Sequence, residues 1–365
     1  MKANVKSKES AGVPVAPVRA FRSPIELPRR APTTRLMKAL YILDKSSRPL
    51  TYGPEEERDI AKLVEICGPP QTRDSIKNSP GLLTDVEVIL SGWYAPVMDE
   101  AFLAAAPKLR AVFYGAGSTR YFTTDAFWER DIALTSAAAA NAIPVAEYTQ
   151  SVIVLSLKHF WRFAAYAKNG GGWDPMRPIP GCYKRTVGLI SLGMVARKTL
   201  ELLRPFDLHR LVCCPFLTEE EAGRLNVERC KLSEVFRRAD VVSLHTPDLP
   251  QTHGMITGEH FASMKPGATF INTARGAIVR EPEMIEVLRA RPDLTAVLDV
   301  THTEPPAPDS PLLTLPNVVL TPHIAGSMGS EINRLGRYVV EELQRFLAGE
   351  PLEGRITREA AATLA

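Results

Sequence analysis

Three short segments each place a chemically useful side chain just after an apolar run. They are "INTARGAIV" around Arg275, "LDVTHTEPP" around Glu304 and "LTPHIAGS" around His323. Moving a hydride to a 2-oxo acid needs a cation that holds the carboxylate and polarises the carbonyl, and an acid that protonates the nascent alkoxide. Arg275 offers the planar fork that matches a carboxylate. His323 carries a proton that exchanges near neutral pH. Glu304 beside it would favour the imidazolium form and fix the orientation of the ring. Each signal alone is weak, since a histidine after a strand is more often a structural hydrogen-bonder and an arginine is usually a surface charge. Three such residues at equivalent strand ends can converge on one crevice, and that convergence carries the reading.

A fourth segment, "TVGLISLGMVARKTLELL" (186–203), reads as a strand that turns abruptly into a helix. In the dinucleotide fingerprint G-x-G-x-x-G/A, the first glycine allows the tight turn, the second admits the pyrophosphate, and the third lets helix and strand pack closely. Ser191, Gly193 and Ala196 occupy those places. The backbone N–H groups of Met194 and Val195 would open the helix toward a phosphate. The acidic residue expected about twenty positions on, to bind a ribose 2′-hydroxyl, is replaced by Cys214 in "RLVCCPF". Without a carboxylate to repel a 2′-phosphate, discrimination between NAD and NADP is open, and with no arginine following to claim that phosphate the reading leans to NAD.

The elements that must position these residues follow from hydrophobic period. From Lys38 to about Ala138, and again from Thr186 to His323, short apolar runs alternate with helix-like segments. Such alternation predicts crossover units and parallel sheets, with six strands in the second run. The fold class is α/β with two Rossmann-like, doubly wound domains and a cleft between them, and ligands sit beyond the carboxyl ends of such strands. Between the runs lies a long helix predicted over 144–168, opened by Pro144. Its apolar stretch is too short to cross a bilayer and carries Lys158 and His159. The segment "SEINRLGRYVVEELQRFLAGEP" is amphipathic and predicts a helix that packs back on the first domain.

Composition bounds the alternatives. The chain has 365 residues, 45% hydrophobic and 23% charged, with a net charge of +3, which suits a two-domain soluble protein and gives no global basic field for nucleic acid. Five cysteines, an odd number with no C-x-x-C spacing, argue against a zinc cluster and a disulfide framework and fit a reducing cytoplasm. No metal site is expected, and His245, His253 and His260 read as structural or surface residues. His302, two residues from Glu304, is assigned no role. Residues 1–36 read as a disordered leader whose prolines interrupt any secretory apolar core, with an organellar transit peptide as the alternative. Met37 could be the natural start.

These motifs resemble the D-isomer-specific 2-hydroxyacid dehydrogenase family from roughly Lys38 to Pro351, most specifically in "VGLISLGMVAR", "FINTARGAIV", "LDVTHTEPP" and "NVVLTPHIAG". The resemblance implies that Arg275, Glu304 and His323 are the catalytic trio, and that Asp299 meets the nicotinamide carboxamide. It implies a nicotinamide pocket lined by Thr273 and Ala274, and further cofactor contacts at Arg275, His323, Ala325 and Gly326. "LHTP", with His245, Thr246 and Pro247, would lie near the adenosine side. The substrate carboxylate would meet the glycine-rich loop "YGAGSTRYF", with Gly115, Ala116 and Gly117. Arg120 there either binds a second anionic group or is solvated, and Trp93 and Tyr94 in "SGWYAP" either wall the pocket or pack. "VAEYTQSVIVLSL" resembles the family's dimer helix, which implies a homodimer.

The implied domains are a discontinuous, flavodoxin-like substrate domain (37–143 and 325–352), a dinucleotide-binding domain (144–324) and a tail (353–365). The partner is a small 2-oxo or 2-hydroxy acid, with no nucleic acid and no membrane. Two alternatives stand beside this reading: an NAD(H)-sensing corepressor-like binding protein, and a phosphite- or formate-type dehydrogenase. Formate enzymes resemble this pattern but carry glutamine where Glu304 stands.

Overall fold

The computed structural model describes residues 35–171 and 179–363. The leader segment, up to residue 34, lies outside the described residues. Among the described residues, twelve strands form two sheets in which every pair of neighbouring strands is parallel. In the first, β1 (Lys38–Ile42), β2 (Glu65–Ile66), β3 (Val88–Ser91), β4 (Ala111–Tyr114) and β5 (Ala133–Ser136) run in the order β2-β1-β3-β4-β5. In the second, β6 (Arg185–Ile190), β7 (Leu208–Cys213), β8 (Glu228–Arg229), β9 (Val241–Leu244), β10 (Thr269–Asn272), β11 (Thr295–Leu298) and β12 (Val318–Leu320) run in the order β12-β11-β10-β9-β6-β7-β8. Both orders reverse direction beside their first strand, which is the doubly wound pattern with a switch-point crevice.

Alternate side chains along each strand enter different cores, because a strand turns successive residues to opposite faces. In the second sheet Ile190, Leu244 and Leu298 pack on one face, and Leu189, Ile271 and Val297 on the other. The first sheet splits the same way, with Leu40, Ile42 and Tyr114 against Ala39, Tyr41 and Phe113. Val339, Val340 and Leu343 of the helix Ile332–Ala348 complete the latter face. Burial on both sides explains why these strands read as continuous apolar runs.

Two differences from the sequence reading have local causes. The second sheet has seven strands rather than six, because β8 is a two-residue edge strand, too short to show any period. The helix assigned to 144–168 begins instead at Ala138 and runs to Leu157, with Pro144 in its interior. The run Ala137–Ala140 has the strongest helix propensity available and starts the coil before the proline, which removes one N–H from the ladder without ending it. At His159 the backbone enters the left-handed region, φ 50°, and a separate helix, Phe160–Lys168, follows. The long helix joins the two sheets. Its Ala140 packs on Ile332 and Leu335, while its Val152, Ile153 and Leu157 join the core of the second sheet.

Candidate active site

Strand order sets the order of the chemistry along the carboxyl edge of the second sheet. His323 follows β12, Glu304 follows β11, Arg275 follows β10, His245–Pro247 follow β9, Ser191–Val195 follow β6, and Cys214 follows β7. The titratable groups therefore gather at one half of the edge and the strand-to-helix turn sits at the other, with the switch point between β9 and β6.

His323 Nδ1 lies 2.7 Å from Glu304 Oε2, and both side chains are partly exposed. With Nδ1 engaged, Nε2 is the ring nitrogen left for exchange with a ligand. The loop that carries His323 is held from below by Asp299, which is 2% exposed. Asp299 Oδ1 accepts from Thr321 Oγ1 at 2.6 Å and from the Ile324 N–H at 2.8 Å. Its Oδ2 accepts from the Ala325 N–H at 2.9 Å. Three donors offset the desolvation of a buried carboxylate, so Asp299 clamps the histidine loop with both of its oxygens engaged. The φ of 54° at His323 is part of the turn that this clamp fixes.

Arg275 is held by its backbone. Asn272, at the end of β10, donates from Nδ2 to the Arg275 carbonyl at 3.0 Å and accepts at Oδ1 from the Ala274 N–H at 2.9 Å. Arg275 Nη1 donates to the Ala274 carbonyl at 2.7 Å. Among the described residues the guanidinium meets no carboxylate, so its charge is available to an anion. Gly276 lets this turn touch the loop of Glu304: a β-carbon there would lie 2.0 Å from the Thr301 carbonyl carbon and oxygen.

The strand-to-helix turn keeps the fingerprint's geometry without its first glycine. Ser191 has φ 73° and donates its N–H to the Cys213 carbonyl at 2.8 Å, which brings the end of β7 and Cys214 beside the turn. Gly193 caps the helix Met194–Leu202, no side chain caps that end, and a β-carbon at Gly193 would meet open space. Ala196 is fully buried, as close helix–sheet packing requires.

Three hydroxyls at loops of these edges, those of Thr119, Thr246 and Ser327, are buried without a hydrogen-bond partner. An uncapped helix end and orphaned hydroxyls are the features that a phosphate-rich, hydrogen-bonding dinucleotide would satisfy. The residues therefore fit such a ligand. Thr273 Oγ1 lies 3.4 Å from Thr149 Oγ1, and Pro247 accepts from Thr252 Oγ1 at 2.7 Å. Burial holds the His245 imidazole down at about 4, so it is neutral at neutral pH, with Nε2 on Ser243 Oγ at 3.0 Å. His253 pairs with Asp248 at 2.6 Å and His260 with Thr257 at 2.9 Å, both local contacts.

On the first sheet, Gly115–Gly117 follow β4 and are bracketed from beneath. Ser136 Oγ donates toward the carbonyls of Ala116 at 2.9 Å and Gly117 at 2.5 Å. Trp93 packs beside Ala137, Ala140, Ile332 and Leu335. Arg120 is exposed, and its Nη1 donates to the Asp248 carbonyl at 2.6 Å, on the loop that follows β9 in the second sheet.

Sequence reasoning missed Ser136, Thr321 and Asn141. Asn141 Oδ1 accepts from the Ser327 N–H at 2.9 Å and lies beside Gly326. Thr321 was within reach, since it sits in the same motif as His323. The other two carry no local signal.

Residues 151–325 match the family model described as "D-isomer specific 2-hydroxyacid dehydrogenase, NAD binding domain". An (S)-sulfolactate dehydrogenase of Chromohalobacter salexigens is 34% identical over 257 residues, which cover 68% of this chain and 81% of that protein. A D-3-phosphoglycerate dehydrogenase of Methanocaldococcus jannaschii is 31% identical over 272 residues, which cover 74% of this chain and 51% of that protein. The chain spans about half the length of the phosphoglycerate dehydrogenases it matches. Among solved structures, a phosphoglycerate oxidoreductase from Rhizobium etli shares the fold, with a TM-score of 0.76 over 89% of this chain and 99% of that one at 20% identity.

Proposed function

Because the chain belongs to the D-isomer specific 2-hydroxyacid dehydrogenase family, we propose that it interconverts a D-2-hydroxy acid and its 2-oxo acid with a nicotinamide dinucleotide. The observation that carries this reading is the 2.7 Å His323–Glu304 contact on the same sheet edge as Arg275, whose guanidinium meets no carboxylate among the described residues. When bound, the dinucleotide supplies or accepts the hydride; Ser191–Val195, Thr246 and the loops after β10 to β12 would hold it. Arg275 draws the substrate carboxylate and carbonyl oxygen to its fork and offsets the negative charge that grows on that oxygen. His323 gives a proton from Nε2 during reduction and takes it back during oxidation, while Glu304 holds Nδ1. The backbone N–H groups of Ala116 and Gly117 would bind the carboxylate from the other side, that of Gly115 being held by the Ser91 carbonyl at 2.9 Å.

We assign residues 37–143 with 325–352 to the substrate lobe and 144–324 to the dinucleotide lobe. Cys214 at the ribose position offers no carboxylate to repel a 2′-phosphate, so NAD and NADP would both be admitted there. The stretch 145–157 that resembles the family's dimer helix leads into the helix Phe160–Lys168, which buries no residue and leaves Phe160 46% exposed, and this supports a homodimer built on these two helices. Free thiols at all five cysteines support a cytoplasmic setting.

The test is a fluorescence titration with NADH and NADPH, followed by a panel of 2-oxo acids at saturating cofactor. His323→Gln and Arg275→Ala should each lower turnover by about 10²- to 10⁴-fold and leave NADH affinity within a few-fold. A wild type that binds NADH and reduces none of the acids would instead mark a cofactor-sensing protein.

A further inference from the structure

The loop after β3 presents an exposed aromatic ring on a strained backbone. Tyr94 has φ 63°, a region that residues with a β-carbon rarely enter. Its ring is 66% exposed, so burial does not repay the strain. Such residues persist where surrounding structure or a ligand holds them.

The surrounding contacts form a small cage. Arg73 lies with its guanidinium carbon 6.0 Å from the Tyr94 ring centroid and 5.8 Å from that of Tyr121. Its Nε and Nη2 donate to the Ala95 carbonyl at 3.2 and 3.0 Å. The Ala95 N–H donates to Tyr121 Oη at 3.1 Å, and that hydroxyl pairs with Tyr114 Oη at 2.9 Å. The loops after β3 and β4 are thereby locked together around one guanidinium. Nη1 of Arg73 makes no hydrogen bond, and among the described residues the group meets no carboxylate. Ring faces orient a guanidinium without neutralising it.

Position ties the cage to the site. The β4 loop that supplies Tyr121 also supplies Arg120, which reaches the Asp248 carbonyl on the loop after β9. A loop at the carboxyl edge of the first sheet thus touches a loop at the carboxyl edge that carries Arg275.

We propose that Arg73, held between Tyr94 and Tyr121, is a specificity-determining residue that binds a second anionic group at the far end of the substrate, a carboxylate, sulfonate or phosphate. This rests on the oxo-acid reading above.

Pairs of 2-oxo acids that differ in the distal group test it, such as 2-oxoglutarate with 2-oxopentanoate and 3-sulfopyruvate with 2-oxobutanoate. The charged-to-neutral ratio of kcat/KM should favour the charged member of at least one pair by tenfold or more. Arg73→Met should reduce that ratio at least tenfold, and Arg73→Lys should restore part of it. A wild-type ratio near one, or a ratio that survives Arg73→Met, overturns the proposal.

Calorimetric binding of the same pairs to the NAD⁺-loaded protein separates the two readings. Absence of turnover with a charge preference in binding that Arg73→Met abolishes would reject the reaction and keep the subsite. Turnover without charge preference would keep the reaction and reject the subsite.

Discussion

Ser191 shows how a single residue can depart from a motif while its backbone conforms. The first position of the fingerprint demands a turn that glycine makes without penalty; here a serine makes it at φ 73°. The conformation strains a β-carbon, and no hydrogen bond of the Ser191 hydroxyl offsets it, because only the backbone N–H is engaged. Ser191→Gly should therefore stabilise the protein by about 1 kcal/mol, as relief of left-handed strain exceeds the added unfolded-state freedom. Urea unfolding measures this, and NADH affinity should hold. A destabilised variant would show that the serine side chain has a role beyond the turn. In the sequence, the middle glycine and Ala196 suggest the turn, and the three later segments around Arg275, Glu304 and His323 carry its reading as a phosphate cradle. The conformation of Ser191 was not legible, since a one-letter departure does not say whether the backbone or the motif has given way.

At the scale of elements, the site depends on two turns that touch. Gly276 follows Arg275, and a β-carbon there would lie 2.0 Å from the Thr301 carbonyl and 2.3 Å from the His302 nitrogen. Those backbone atoms cannot swing aside as a side-chain tip would, so the loop of Glu304 would have to move. Gly276→Ala should cost about 1–3 kcal/mol by overpacking. It should also lower turnover by about 100-fold, the scale expected for a displacement near 1 Å of catalytic groups. A variant with wild-type kcat and stability would mean the turns are slack.

The sequence made the order of strands and helices legible, because short continuous apolar runs set between helix-like segments are a local signal. It also made Arg275, Glu304 and His323 legible as strand-end residues. The contact between Gly276 and Thr301 was not legible, nor was that of Asn141 with Ser327, because each depends on how neighbouring strands or distant loops stack. Pro144 misled for a related reason: a proline can open a helix or sit within one, and the alanines before it decided.

For the whole molecule, the decisive link is the return of the chain to the first sheet. Residues after the helix Ile332–Ala348, read from sequence as a tail, dock on the edge of β5, with Thr135 bridged antiparallel to Arg355. Glu342 anchors them. Its carboxylate is fully buried, takes Arg345 Nη1 at 2.6 Å, and accepts the N–H groups of Glu353 at 3.2 Å and Gly354 at 2.9 Å. The Gly354 carbonyl in turn accepts the Ser136 N–H at 3.0 Å, and Ser136 Oγ holds the carbonyls of Ala116 and Gly117. One chain of bonds thus runs from a buried carboxylate to the loop proposed to bind the substrate carboxylate.

Removing residues 353–365 strips Glu342 of two donors and uncovers Ile356 and Ala361, which are 8% and 5% exposed in the fold. The loss should be about 3–5 kcal/mol, the range for a buried charge left short of partners, as read by urea unfolding. Glu342→Gln in the full chain should cost less, since it leaves no charge to strand. If Ser136 transmits the docking, the truncated protein should also show a raised KM for its 2-oxo acid with NADH affinity held. Equal loss of both affinities would mean that the segment supports the fold at large and not the loop, and an unchanged unfolding midpoint would remove Glu342 from the anchor.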